Sequence, residues 1–264
     1  MIKVLDLFSG THSIGNCCEE IGWEVVSLDY KLPATHQIDI LEFDYKQYPK
    51  NYFQVIWASP DCCFYSRLQN CWLGKKKADG ILFTKEILEE KRKHSDKLIK
   101  KTLEIINYFH PELWFMENPK SGTLKDRDVV KGLPFYDVDY CMYSDWGYQK
   151  PTRIWTNKKD FKPLVCDKSG SCGNMIECKH KLNVANDVHT IGEKKKQKLH
   201  RERMGTSKTI LEGDKIIRVN TAELRKKYKD NENIMFKGEL VMKGTKLLDR
   251  FRVPSDLIFS LLLD

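Results

Sequence analysis

A thiol stands just past a strand-like run and a proline in Ala58-Ser59-Pro60-Asp61-Cys62-Cys63-Phe64-Tyr65-Ser66-Arg67. Proline restricts the backbone, so a cysteine there is held in a fixed loop. A thiolate so placed can attack an electron-poor carbon, provided that its pKa is depressed or positive charge lies near. Arg67 and Arg153 are the cations available for that. The plainer role of such a pair is that of small core residues, as free cysteines often are. A second reactive group is Glu117, in Trp114-Phe115-Met116-Glu117-Asn118-Pro119. A glutamate ending an apolar strand is costly to bury without a partner, and in a pocket it can hydrogen-bond or protonate a heteroaromatic nitrogen. A helix cap or an ion pair would satisfy it equally.

Two further segments have the composition of binding elements. Asp6-Leu7-Phe8-Ser9-Gly10-Thr11-His12-Ser13-Ile14-Gly15 runs from a strand through a glycine turn to a helix start, where backbone N–H groups can receive a carboxylate. Asp29-Tyr30 ends the next strand, where an acid can accept bonds from ribose hydroxyls. Asp39-Ile40 offers a further acceptor for an adenine amino group, or a turn cap. Tyr148-Gln149-Lys150-Pro151-Thr152-Arg153-Ile154-Trp155-Thr156-Asn157 mixes cations with aromatic residues, which suits phosphate contact and base stacking, or an edge strand with a solvated face.

These residues need a frame to hold them. Strand-like runs are expected at residues 3–7, 23–28, 53–58 and 113–116, and helical spacing at 13–21 and 84–109. That alternation predicts an α/β fold with an open, mostly parallel sheet and helices on both faces, and ligands beyond the carboxyl ends of the strands. From Cys166 the texture becomes rich in Lys, Gly, Asn and Cys. Residues 166–243 read as an inserted, irregular lobe, and residues 244–264 as a return, with a helix at 256–263 packing onto the first domain (residues 1–165).

Among the 264 residues, 45 Lys and Arg oppose 37 Asp and Glu, a net charge of +8 that favours an anionic partner such as nucleic acid. At 41% hydrophobic the chain can bury a core. It has no run of about 18 apolar residues and no signal-peptide pattern, so no membrane partner and an intracellular location, cytoplasmic or within a host cell, are expected. Nine cysteines in that setting imply free thiols.

Taken in order, DLFSG, SP-x-C, ENP and QKPTRIW resemble the cytosine-C5 DNA methyltransferase family, more narrowly its compact phage- and virus-type members, over residues 1–160 and weakly over 244–264. The resemblance implies a Rossmann-type S-adenosylmethionine-dependent methyltransferase fold with a small inserted recognition lobe. It implies S-adenosyl-L-methionine as cofactor, duplex DNA with a flipped cytosine as partner, and a monomer. Cys62 would be the nucleophile, Glu117 the cytosine-N3 partner and Arg153 a holder of the substrate nucleotide. Asp6, Phe8, Ser9, Gly10, Thr11, His12, Ser13, Ile14, Asp29, Tyr30, Asp39, Ile40, Ser59 and Pro60 would line the cofactor side. Ser66, Arg67, Asn118, Gln149 and Thr152 would line the substrate side. Lys75-Lys76-Lys77 would belong to a loop closing over DNA.

The chain departs from the family pattern at Asp61, where proline is usual, at Cys63 beside Cys62, and at Thr11-His12-Ser13, where another glycine is common. The same chemistry on RNA, or a catalytically inactive binding relative, are the alternative readings. In the lobe, which would be the target-recognition region, Cys166, Cys172, Cys178 and His180 have spacings unlike a paired C-x2-C knuckle. Cys178 and His180 are too close to ligate comfortably together in most geometries, so reduced thiols with a surface histidine and no metal are expected, with a structural zinc on Cys166, Cys172, Cys178 and His180 as the alternative. Lys194 to Lys198 and His200 to Arg203 are expected to meet phosphate.

Overall fold

β1 (Lys3–Leu7) is buried along nearly its whole length, as an apolar run in a parallel sheet covered on both faces must be. A computed structural model describes residues 1–77, 79–176, 179–181, 183–187, 207–212, 215–220, 244–245 and 251–263. After β1 come α1 (Ser13–Glu20), β2 (Glu24–Asp29), β3 (His36–Gln37), β4 (Val55–Ala58), α2 (Lys85–Phe109), β5 (Leu113–Pro119), β6 (Phe135–Asp139) and β7 (Pro151–Thr156). These strands form one seven-stranded sheet in the order β3-β2-β1-β4-β5-β7-β6. The pairs β3–β2, β2–β1, β1–β4 and β4–β5 are parallel, while β5 and β7 run antiparallel. The chain winds outward from β1 in both directions, so the topological switch lies between β1 and β4.

Strand pleating sorts the side chains to two faces. Leu5, Leu7, Val26, Leu28, Ile56 and Ala58 join Ile99, Ile105, Ile106 and Phe109 of α2 in one core. Thr84 caps α2, its Oγ1 accepting the Ile87 N–H at 3.3 Å, and the helix stops at His110, which is left-handed (φ 47°) and precedes Pro111. The opposite face holds Trp57 against Phe115, with ring centroids 5.0 Å apart. α1 lies over that face, since the Gly15 N–H bonds to Asp6 and Gly15 sits against Val25. The last helix, α3 (Ser255–Leu263), packs on α1, and the Val253 N–H donates to Ser13 Oγ at 3.3 Å. Helices thus cover both faces.

One difference from the sequence expectation bears on the site. β5 does not stop at Met116 but continues through Glu117 and Asn118 to Pro119. β4 ends opposite Met116, while β7, on the other edge of β5, pairs with it from Phe115 to Pro119, Ile154 opposite Glu117 and Arg153 opposite Asn118. A single-sequence pattern carries no trace of that antiparallel neighbour.

The described chain divides into two compact units. The first comprises Met1–Val138, Pro151–Val165 and Arg252–Asp264, and the second Asp139–Lys150 and Cys166–Phe251. Within the second, Met175–Ile176 (β8) pairs with Lys179–His180 (β9), and Ser207–Glu212 (β11) forms a hairpin with Lys215–Asn220 (β12). Asn183–Asp187 (β10) pairs with Gly244–Thr245 (β13). The lysine and arginine runs between residues 194 and 203 lie outside the described residues. No helix among the described residues is long and apolar enough to cross a membrane.

Burial makes Asp6 a titration sensor for the first unit. Removal from water pushes its carboxyl up to about 8, against the Gly15 N–H, which pulls it down. Between the ordinary carboxylate value and about 8 the folded chain keeps a proton that the unfolded chain releases. Stability from this group is therefore complete in acid and declines as pH rises, by up to ~1.4 kcal/mol per pH unit. Thermal unfolding of wild type followed from pH 5 to pH 8 should show that decline, and Asp6→Asn should flatten it; parallel profiles for the two proteins would remove Asp6 as the cause.

Candidate active site

Register brings the chemical segments to one edge of the sheet. Leu28, Leu7, Ala58 and Met116 form a row across β2, β1, β4 and β5. The next residues in each strand are Asp29, Phe8, Ser59 and Glu117, so the cofactor-type loop, the thiol loop and the glutamate emerge side by side. The Ser9 N–H donates to the Leu28 carbonyl at 3.0 Å and the Ser59 N–H to the Leu7 carbonyl at 3.1 Å, carrying the ladder one step past the strand ends.

The loop after β1 is built from left-handed residues. Phe8, Gly10 and His12 have φ of 59°, 52° and 57°. For Phe8 and His12 that conformation is sterically costly and needs support from the surroundings. Asp29 supplies much of it: its carboxylate accepts the Gly10 N–H at 3.0 Å and the N–H groups of Lys31 and Leu32 at 2.8 Å each. Asp29 therefore folds this loop, with about one acceptor position left for a ligand. Ser9 is buried and its Oγ has no hydrogen-bond partner among the described residues. His12 caps α1 by backbone alone and anchors its ring to the Pro33 carbonyl at 2.6 Å. Thr11 Oγ1 lies 3.2 Å from Ser13 Oγ. Asp39 is a turn cap, its Oδ1 accepting the Leu41 N–H at 2.9 Å. Ile14, Ile40, Pro60 and Asp6 are buried and shape the loops from behind, whereas Tyr30 is largely exposed.

The thiol loop is pinned from two sides. Asn118 Nδ2 donates to the Pro60 carbonyl at 2.9 Å, a buried bond from β5 to the residue before Asp61. Behind the loop, fully buried Tyr65 donates its hydroxyl to Asp96 of α2 at 2.8 Å. Asp96 is in turn held by Arg127, which also pairs with Glu89 at 2.7 Å. The Thr123 N–H and Arg92 Nε fix the Tyr65 and Phe64 carbonyls at 2.8 and 3.1 Å. Inside the loop, Asp61 Oδ1 accepts the Cys63 N–H at 2.9 Å, and the Tyr65 and Ser66 N–H groups both reach the Cys62 carbonyl at 3.1 Å. Asp61 thus serves as the turn-former of the loop.

The thiols differ. Cys62 is half-buried and Cys63 exposed. Desolvation of its sulfur and then the Asp61 carboxylate push the Cys63 thiol up, and Gln69 Nε2 lies 3.4 Å from that sulfur. Burial pushes Cys17 and Cys18 up to about 11 and about 12, which keeps them protonated.

Glu117 is buried in β5. Arg153, across the ladder from Asn118, already holds Asp137 through Nε at 2.7 Å and Nη2 at 2.9 Å, and its guanidinium lies 3.5 Å over the Phe135 ring. Lys120 reaches the same carboxylate at 3.2 Å. Thr152 is fully buried in β7, Ser66 caps the short turn that follows the thiol loop, Arg67 is exposed, and Gln149 belongs to the second unit. Residues 67–83 form that turn (Arg67–Trp72) and a small hairpin, in which Lys77 lies 3.8 Å over the Phe83 ring. Leu68, Trp72, Ile81 and Leu82 are exposed on it beside the three lysines. Sequence reasoning missed these apolar residues, since exposure is invisible in a chain without helical or strand period. It also missed Cys141, which lies with Cys166, Cys172 and His180 in the second unit; Cys178 falls outside the described residues.

No protein-family model matches the chain. It is 39% identical over 176 residues to the "Probable DNA (cytosine-5)-methyltransferase" of Frog virus 3, covering 66% of this chain and 79% of the relative. Among solved structures, the methyltransferase EhMeth of Entamoeba histolytica superposes with a TM-score of 0.47 at 14% identity, over 99% of this chain and 97% of that one.

The loop anchors can be measured separately from any reaction. Asn118→Ala leaves the buried Pro60 carbonyl without its donor and should lower the unfolding free energy by ~1–3 kcal/mol. Tyr65→Phe should cost about 1 kcal/mol through the loss of its bond to Asp96. Urea denaturation checks both, and stabilities within error of wild type would mean that neither bond holds the loop.

Proposed function

The chain belongs to the DNA (cytosine-5)-methyltransferase family, and we propose that it methylates C5 of cytosine in DNA through a covalent bond from Cys62 to C6 of the base. The observation that carries this reading is the Asn118–Pro60 bond. It locks the strand bearing Glu117 to the loop bearing Cys62, at the sheet edge where the loop after β1 also emerges.

The residues there fit S-adenosylmethionine. Ser9 Oγ is a buried polar atom without a partner among the described residues, Gly10 leaves its backbone open, and His12 places no side-chain cap on α1, where Asp6 takes the Gly15 N–H alone. Ser9 to Ser13 would hold the amino-acid end and Asp29 the ribose. Bound there, the cofactor supplies an electrophilic methyl group on a sulfonium.

Cytosine C5 is a poor nucleophile. Addition of the Cys62 sulfur to C6 breaks the 5,6 double bond and moves its electron pair to C5, which becomes enamine-like. Glu117, carrying a proton, hydrogen-bonds N3 and stabilises the charge that develops on the ring. After methylation, loss of the C5 proton to base drives elimination of Cys62 and restores the aromatic ring. Cys62 is preferred over Cys63 because it keeps the family's usual spacing to Pro60 and Ser66. Arg153 is read as a phosphate or base contact that Asp137 and Phe135 pre-orient. The target must leave the helix stack to reach the thiol. Lys75 to Lys77, with exposed Leu68, Trp72, Ile81 and Leu82, form a cationic and apolar surface suited to phosphates and to the gap that a flipped base leaves. The second unit, by its place in the chain, is read as the part that selects the target.

Transfer of tritiated methyl from S-adenosylmethionine to unmethylated duplex DNA is the test. Cys62→Ser should abolish it and Cys63→Ser should retain it within a few-fold, and a 5-fluorocytosine duplex should trap wild type and Cys63→Ser only. Glu117→Gln should lower kcat by about 10²–10⁴. Transfer confined to RNA would redirect the substrate assignment, and cofactor binding with no transfer to either would end the catalytic one.

A further inference from the structure

The second unit contains a side-chain cluster that methyl transfer does not use. Cys141, Cys166, Cys172 and His180 each offer one ligand atom, and the four atoms all lie within 4.8 Å of one another. We infer that these residues bind a structural zinc ion as a Cys3His site.

The four ligands come from separate places: the turn Tyr140–Met142 after β6, the start of the 166–175 stretch, its glycine turn, and β9. Only folding brings them together, and Cys141 stands 25 residues before Cys166 in the chain. His180 Nε2 lies 3.7 Å from the Cys166 sulfur and 3.6 Å from the Cys172 sulfur. A tetrahedron with Zn–S of about 2.3 Å and Zn–N of about 2.0–2.1 Å has S···N edges of about 3.6 Å. The three sulfurs are free thiols, so no disulfide explains their approach. An apolar cysteine cluster would have no use for an imidazole at its centre, whereas three thiolates and an imidazole are a donor set that favours zinc. Four protein ligands leave no open position, which marks the site as structural rather than catalytic.

The surroundings are built to hold the ligands. Lys168 is left-handed, at φ 63°, and its N–H bonds to the Cys166 sulfur two residues before it. The Cys166 N–H donates to Asp139 Oδ2 at 2.9 Å. Asn174 is buried, and its Nδ2 donates to the carbonyls of Cys141, Ser144 and Cys172 at 2.8, 2.7 and 3.0 Å, while its Oδ1 accepts the Gly147 N–H at 2.9 Å. One side chain thus ties together the backbones of two ligand segments, the kind of outer support that orients metal ligands. Gly170 and Gly173, at φ 102° and 68°, make the tight turn around Cys172. An ion clamping the two chain segments of this unit would supply folding free energy directly.

The test uses the full-length protein purified from zinc-supplemented culture, with metal content measured by mass spectrometry. About one zinc per chain is expected, falling at least fivefold in Cys166→Ser and Cys172→Ser, kept in Cys71→Ser, and kept in His180→Cys, which preserves a four-ligand set. Should the serine variants not fold, metal-stripped wild type is titrated with Co2+ alone, and thiolate-to-cobalt charge-transfer and tetrahedral d–d bands, bleached by added zinc, are expected. Zinc below about a tenth per chain with no cobalt bands would overturn the site, as would soluble serine variants with undiminished zinc or iron in its place. None of these readouts depends on methyl transfer, so the site and the catalytic reading stand or fall separately.

Discussion

The parallel pairing of β1 with β4 and of β4 with β5 is the constraint on which the candidate site depends. The side-chain period of a strand is two, so a one-residue slip would turn Asp6 toward α2 and Leu7 toward α1. The observed register places Leu7, Ala58 and Met116 in one row, and the loops that follow inherit their positions from it. The hydrogen bonds beyond the strand ends, from Ser9, Ser59 and Asn118, refine an alignment that the sheet has already made.

Much of this frame is legible in the chain. The apolar runs at β1, β4 and β5 have no other use than a doubly covered sheet, and the signatures sit at their carboxyl ends because the loops there face away from the core. What is not legible involves partners distant in sequence. The extension of β5 through Asn118 exists only because β7 pairs with it. Asp29 reads as a ligand acceptor, yet most of its capacity goes to three backbone N–H groups. Asp61 reads as a departure at a position where proline is usual, yet it organises the turn that presents the thiol. Cys141 carries no spacing relation to Cys166 that a pattern would catch.

The cysteines show how one residue type is divided among roles by its surroundings. Cys17 and Cys18 are buried in α1 and stay protonated, so they act as small hydrophobes. Cys62 occupies a loop fixed by buried hydrogen bonds, and its neighbour Cys63 is held back by desolvation and an acid. Three others converge with a histidine in the second unit. Composition alone would have treated them as equivalent.

The docking of α3 on α1 joins segments some 240 positions apart, through the Val253 N–H and Ser13 Oγ. A ribosome releases Ser13 long before it releases residues 251–263. Throughout that interval the side of α1 that bears Cys17, near Asp256 of α3 in the folded chain, lacks its lid. The first unit therefore cannot mature vectorially, one stretch after another; α1 is sealed only after residues 251–263 have emerged and folded back onto it.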